Sequence, residues 1–191
     1  MSAQRFVLFD TIIGRCGVAW GERGLIGVQL PEISPGAAWA RLRKRFPDAV
    51  ESEPTTEIEA VIERIRELLA GGRDDLADIP LDLDGQSTFN LRVYEIARAI
   101  TPGETSTYGE VAKAMGEPGA ARAVGKALGE NPWPIVVPCH RVLGRSGAMG
   151  GFSAPGGAET KAKLLTIEKA RTDAVPTLFD LEFSVAPRRG A

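Results

Sequence analysis

Apolar residues are spaced with two different periods along this chain. Residues 5–9, 16–20 and 25–30 are short apolar runs separated by Gly14 and by glycines between 21 and 24. Runs of that length with glycine punctuation predict three strands of an antiparallel sheet. The period then lengthens. Ser34-Pro35 opens a predicted helix running to about Phe46. Residues 57–69 place Ile58, Val61, Ile62, Ile65, Leu68 and Leu69 on one helical face, and Gly71-Gly72 closes that helix. Nothing in residues 1–84 forms a catalytic constellation, so this half reads as scaffold.

Helical spacing returns after the loop around residues 82–86. Ser87 or Thr88 caps a helix whose Phe89, Val93, Ile96, Ala97 and Ile100 form one stripe, ended by Pro102-Gly103. Two short helices are predicted from about Tyr108 to Met115 and from about Ala120 to Gly129, with a turn at 116–119 between them. That is a helix-turn-helix outline. Residues 131–157 are rich in glycine and proline and predict loop with a small hairpin, before a last helix over about 159–170. The chain therefore divides into 1–84, 85–172 and a loosely held tail, 173–191.

Composition narrows the function classes. Apolar residues at 43% and charged residues at 25% are ordinary for a globular protein, and no apolar run approaches the length of a membrane span. With no targeting signal visible, the expected location is the cytoplasm. Two cysteines, Cys16 and Cys139, cannot build a disulfide scaffold, and with a single histidine, His140, they make no ordinary zinc site. The net charge of -2 conceals an asymmetry. Residues 1–84 carry 10 basic and 15 acidic side chains, residues 85–171 carry 11 and 7, and the tail carries 2 and 3. A basic module inside an acidic chain suits contact with a polyanion, although a solvated imbalance explains it equally well.

The chemistry concentrates in Asn131-Pro132-Trp133-Pro134-Ile135-Val136-Val137-Pro138-Cys139-His140-Arg141-Val142, where the only histidine adjoins a cysteine. A free thiol is mostly protonated near neutrality unless a base or a cation shifts it, and His140 and Arg141 are the neighbours able to do so. Adjacent side chains of a strand point to opposite faces, so a Cys139–His140 partnership requires a turn, which Pro138 favours, or a bridging water.

Pro138-Cys139-His140-Arg141-Val142 resembles the active-site signature of the O6-alkylguanine-DNA alkyltransferases, the methylated-DNA-protein-cysteine methyltransferases. Asn131-Pro132, Ala121-Arg122-Ala123-Val124-Gly125, Gly103-Glu104 with Tyr108, and Leu164-Leu165 with Glu168 follow the family's order, so the likeness covers about residues 87–170. It implies an α+β, two-domain protein: an N-terminal ribonuclease-H-like antiparallel sheet with helices, and a C-terminal winged-helix-like helix-turn-helix alkyltransferase domain. It implies direct repair of DNA, in which Cys139 takes the alkyl group irreversibly from guanine O6 in a single turnover.

By the same resemblance, His140 is the base acting through a water, and Glu168 orients it. Asn131 holds the turn, and Tyr108 donates to the guanine ring. No cofactor and no metal are implied. The partner is double-stranded DNA containing O6-alkylguanine, met by a monomer with no membrane contact. Because a duplex hides O6, the nucleotide must flip out, with Arg122 filling the gap. Ala121, Ala123 and Gly125 allow close approach of the helix, and Lys126 and Arg141 are further DNA-contact candidates. Trp133, Pro134, Phe152 and Ser153 are candidates for the substrate pocket. Phe152 departs from the family's usual tyrosine, and Pro155 stiffens the expected lid.

Three other readings are weaker. A lesion sensor without transfer activity lacks the reactive cysteine that this chain has. A cysteine hydrolase brings its histidine from a distant segment, and none exists here. A transcription factor reading sequence needs base-reading side chains that an alanine-rich helix does not offer.

Overall fold

Strand β1 (Arg5–Thr11) reverses at Gly14 into β2 (Gly14–Gly21), and β3 (Gly24–Gln29) follows after a second tight turn. Gly14 and Gly24 have φ of 125° and 122°, which L side chains rarely adopt. At Gly24 a Cβ would also lie 2.4 Å from the Pro80 carbonyl oxygen. The computed structural model describes residues 4–149 and 155–170. Both hairpin pairings are antiparallel, as the glycine-separated runs predict. A two-residue strand β4 (Val50–Glu51) adds in parallel to β1, giving the order β3-β2-β1-β4. Two residues show no periodicity, so this edge was not visible in the sequence.

Helices cover both faces of the sheet. Helix α1 (Pro35–Arg45) is capped by Ser34 Oγ, which accepts from the Ala37 amide, and carries Arg43, Lys44 and Arg45 in its last turn, where they suit the helix dipole. Its Leu42 packs with Phe6, Ala19 and Ala49. Helix α2 (Thr56–Leu69) covers the other face with the six apolar residues predicted for its stripe. Cys16, Val18 and Trp20 of β2 face α2, while Ala19 faces α1. Covering on both sides explains why β2 is buried without a break from Cys16 to Trp20 and does not alternate there.

The remaining helices are α3 (Thr88–Arg98, capped by Ser87), α4 (Tyr108–Ala114), α5 (Ala121–Gly129) and α6 (Gly157–Ile167). Thr107 and Glu110 form a capping box at the start of α4, which fixes Tyr108 as its first residue. The hairpin expected within residues 131–157 is absent from the described part of that segment. Instead β6 (Val142–Leu143) pairs in parallel with the distant β5 (Ser106–Thr107). A pairing across that sequence distance leaves no local signal. The last helix ends at Ile167 rather than near 170, leaving Glu168 as its C-cap. The tail from 173 onward lies outside the described residues.

One apolar cluster runs from the sheet through α2, α3 and α5 to Cys139. Trp133 stands at the junction: its ring meets Tyr94 edge-on at 5.9 Å, and its Nε1 donates to the Leu25 carbonyl at 2.7 Å. Only 1% of it is exposed. Replacing Trp133 by Phe removes that hydrogen bond and part of the packing. The expected cost is about 1–2 kcal/mol, read as a lower urea midpoint with an unchanged m-value.

Candidate active site

A polar clamp shapes the loop that presents the cysteine. Asn131 Oδ1 accepts from the Trp133 amide and its Nδ2 donates to the Val137 carbonyl, both at 2.9 Å. One side chain thereby pins both ends of a loop whose Ile135 sits at φ 76°, a costly conformation for a β-branched residue. Pro138 then leads into a single 3-10 turn, Cys139–Arg141. Cys139 and His140 thus lie in a turn rather than a strand, so their side chains are not forced onto opposite faces.

Three charged or polar groups meet behind that turn. His140 Nε2 donates to Glu168 Oε1 at 3.0 Å, and Arg141 grips both Glu168 oxygens, through Nε at 2.9 Å and Nη2 at 2.8 Å. Arg141 also donates to the Ile100 carbonyl at 2.6 Å. All three side chains are at most 3% exposed. Burial would push the Glu168 carboxyl up, but hydrogen bonds and charge from His140 and Arg141 outweigh it and bring its pKa to about 2. Burial holds the His140 pKa below its usual value against the pull of Glu168. The neutral ring therefore carries its proton on Nε2, and Nδ1 is left as an acceptor. Nδ1 is buried without a hydrogen-bond partner among the described residues.

Lys161 was missed in the sequence. It is wholly buried, donates to the Val142 carbonyl at 2.6 Å and lies 5.6 Å above the Tyr108 ring. Burial lowers its pKa to about 8, countered by the charge of Cys139. The signal was present: Lys161, Leu164, Leu165 and Glu168 share one face of α6 at helical spacing, which puts a lysine where a core residue is expected. Burial raises the pKa of the Cys139 thiol, and the Asn131 side chain, the Lys161 charge and the local backbone amides oppose that rise.

Two openings adjoin this centre. A cavity of about 220 Å³ is lined by Cys139, Asn131 and Pro134 together with Gln29, Arg41 and Arg45. A groove of about 650 Å³ is lined by Tyr108, Ala121, Arg122, Gly125 and Arg145. Gly125 lets the α5 backbone come against the Tyr108 ring, where a Cβ would be 3.9 Å away. Arg122, Ala123 and Lys126 are exposed on α5, with Lys126 3.8 Å from Glu130.

Two expectations need correction. Arg141 is not available to DNA, because its guanidinium is fully buried against Glu168 and Ile100. Trp133 is core and does not line the cavity at Cys139. Phe152 and Ser153 lie outside the described residues. Arg145 was not singled out in the sequence, because a lone arginine in a glycine-rich loop carries no pattern.

The buried charges set a pH dependence. The depressed pKa of Glu168 contributes stability that is fully present above about pH 4.5 and is lost as pH falls toward 2. Glu168→Gln leaves the Arg141 guanidinium buried without its counter-charge. That substitution is expected to cost about 3–5 kcal/mol near pH 7. Denaturation midpoints at pH 7 and pH 3 check it: the gap between wild type and variant narrows at the lower pH.

Residues 88–170 match the family model of the DNA-binding domain of 6-O-methylguanine DNA methyltransferase. The chain is 39% identical over 171 residues to the regulatory protein ada of Salmonella typhimurium, an alignment covering 88% of this chain and 46% of that protein. This chain thus spans about half the length of that relative. It is 38% identical over 144 residues to the inducible methylated-DNA–protein-cysteine methyltransferase of Bacillus subtilis, covering 75% and 77% of the two chains. Among solved structures, Mycobacterium tuberculosis OGT in complex with DNA superposes with a TM-score of 0.71 at 34% identity, covering 88% of this chain and 96% of that one. The mixed α+β arrangement, with a four-stranded sheet and six α-helices among the described residues, matches that structure. With sequence and fold in agreement over most of its length, the chain belongs to the methylated-DNA–protein-cysteine methyltransferase family.

Proposed function

We propose that this protein repairs DNA directly, moving the alkyl group of O6-alkylguanine onto Cys139 and being consumed in doing so. The observation that carries the reading is the placement of Cys139: its side chain lines a cavity, while the adjacent His140 is tied to Glu168 and keeps a buried acceptor nitrogen. His140 Nδ1 receives the thiol proton through a bridging water, and Glu168 stabilises the imidazolium that forms. The Cys139 sulfur attacks the alkyl carbon, the C–S bond forms as the C–O6 bond breaks, and the electron pair passes to O6. Tyr108, whose pKa burial raises, stays protonated and donates to the ring of the leaving base. Asn131 keeps the loop in register, and no cofactor enters the scheme.

The partner is a DNA duplex. Arg122, exposed on a helix of small residues and beside the Tyr108 groove, takes the space vacated by the flipped nucleotide. Lys126 and Arg145 flank it as phosphate contacts. In this reading residues 1–84 form the ribonuclease-H-like domain and residues 85–172 the winged-helix-like alkyltransferase domain. The dense packing of β1–β3 with α1 and α2 supports the first division, and the α4–α5 helix pair supports the second.

The test is intact-protein mass after incubation with a duplex oligonucleotide carrying O6-methylguanine. The expected result is a gain of one methyl group, absent in Cys139→Ala. No gain in the wild type, or an equal gain in the variant, refutes the reading. Arg122→Ala is expected to slow transfer from the duplex by about tenfold or more while leaving transfer from the free modified base nearly unchanged. Equal loss on both substrates would exclude the flipping role.

A further inference from the structure

The two halves of the chain contribute unlike chemistry to the cavity at Cys139. The loop around Asn131 supplies the sulfur, an amide and Pro134, whereas the sheet and α1 supply Gln29, Arg41 and Arg45. A methyl group held at the sulfur needs no distant cations. The arginines differ in how they are bound. Arg45 is fixed by the Val28 and Pro132 carbonyls at 3.0 Å and by Gln29 Oε1 at 3.3 Å, so its role is to tie the sheet to the loop. Arg41 is 47% exposed along its side chain and has one partner, Glu32, at 3.1 Å. Burial and the charge of Arg41 both lower the Arg45 pKa, which places the two guanidinium groups within electrostatic reach of one another. Glu130 lines the cavity wall with them and lies 3.8 Å from the exposed Lys126, while Glu32 pairs with Arg41 from outside the lining. Among the described residues Arg41, Arg45 and Lys126 face the two carboxylates Glu32 and Glu130, so these groups together keep one positive charge.

We propose that this wall selects alkyl adducts whose far end is a carboxylate, such as the carboxymethyl group, with Arg41 as the residue that reads it. The proposal rests on Cys139 being the alkyl acceptor. The sulfur attacks the methylene carbon of the O6-CH2-COO⁻ group, the C–S bond forms, the C–O6 bond breaks with its electron pair going to O6, and the thiol proton ends on the restored guanine. The carboxylate stays ionised throughout and remains against Arg41 in the thioether product. An isosteric amide offers the same size and geometry without the charge, so it loses the charge-assisted hydrogen bond alone.

Single-turnover transfer to Cys139, followed by intact mass, tests this with duplexes carrying O6-carboxymethylguanine or its neutral carbamoylmethyl isostere. The readout is the acid-to-amide ratio of rate constants within each protein, which removes intrinsic reactivity from the comparison. The ratio is expected to fall about tenfold in Arg41→Gln and to stay within about twofold of wild type in Arg41→Lys. An unchanged ratio in Arg41→Gln overturns the proposal, including the case in which both rates drop together because Arg41 serves a backbone phosphate. A duplex carrying O6-methylguanine runs alongside. No methyl transfer at all would remove the proposed function, whereas methyl transfer with an unchanged ratio removes the Arg41 inference alone.

Discussion

The carboxylate of Glu168 is held where an ionised group is costly, at the C-terminal end of α6 and out of water. It is tolerated because Arg141 meets it with two hydrogen bonds and His140 with a third. That requirement draws together three segments distant in the chain: the 3-10 turn after Pro138, the end of α6, and the Ile100 carbonyl after α3. Remove one member and the others are left desolvated, so the cluster favours a single arrangement of the turn that carries Cys139.

The same economy appears one layer out. Asn131 closes its loop with both ends of its amide, and Arg45 stitches that loop to the sheet through the Pro132 carbonyl. Trp133 reaches back to the Leu25 carbonyl from inside the core. The Cys139 sulfur is thus held by polar side chains anchored on backbone carbonyls, while apolar packing supplies the rigid ground beneath them. Lys161 belongs to this layer as well, since its buried ammonium favours negative charge on the sulfur it faces.

The groove at Tyr108 and the cavity at Cys139 are separate openings in this framework. The groove beside Tyr108 and Arg122 is open and bordered by arginines, in keeping with a polyanion partner. The cavity at Cys139 is smaller and takes its polar wall from the N-terminal half. That half, which in sequence offers only strand and helix patterns, therefore reaches the Cys139 cavity through two arginines of α1.

Much of the architecture was legible in the residue pattern. The glycine-separated runs marked β1–β3, the six-residue stripe marked α2, and Ser87 or Thr88 marked where α3 begins, because hairpin turns, helical periodicity and caps are local effects. The pentapeptide around Cys139 likewise marked a segment whose cysteine lines a cavity in the fold. Local pattern did not reveal β4, the β5–β6 pairing or the burial of Arg141, each of which depends on segments brought together from afar. Arginine and lysine read as surface residues until a partner is known, since only a counter-charge or a carbonyl makes their burial tolerable. The sequence by itself determined that a cysteine and the single histidine stand side by side in Pro138-Cys139-His140-Arg141-Val142. Only the tertiary structure decided that Glu168 shares its charge between His140 and Arg141, because desolvation and pairing are properties of the folded interior.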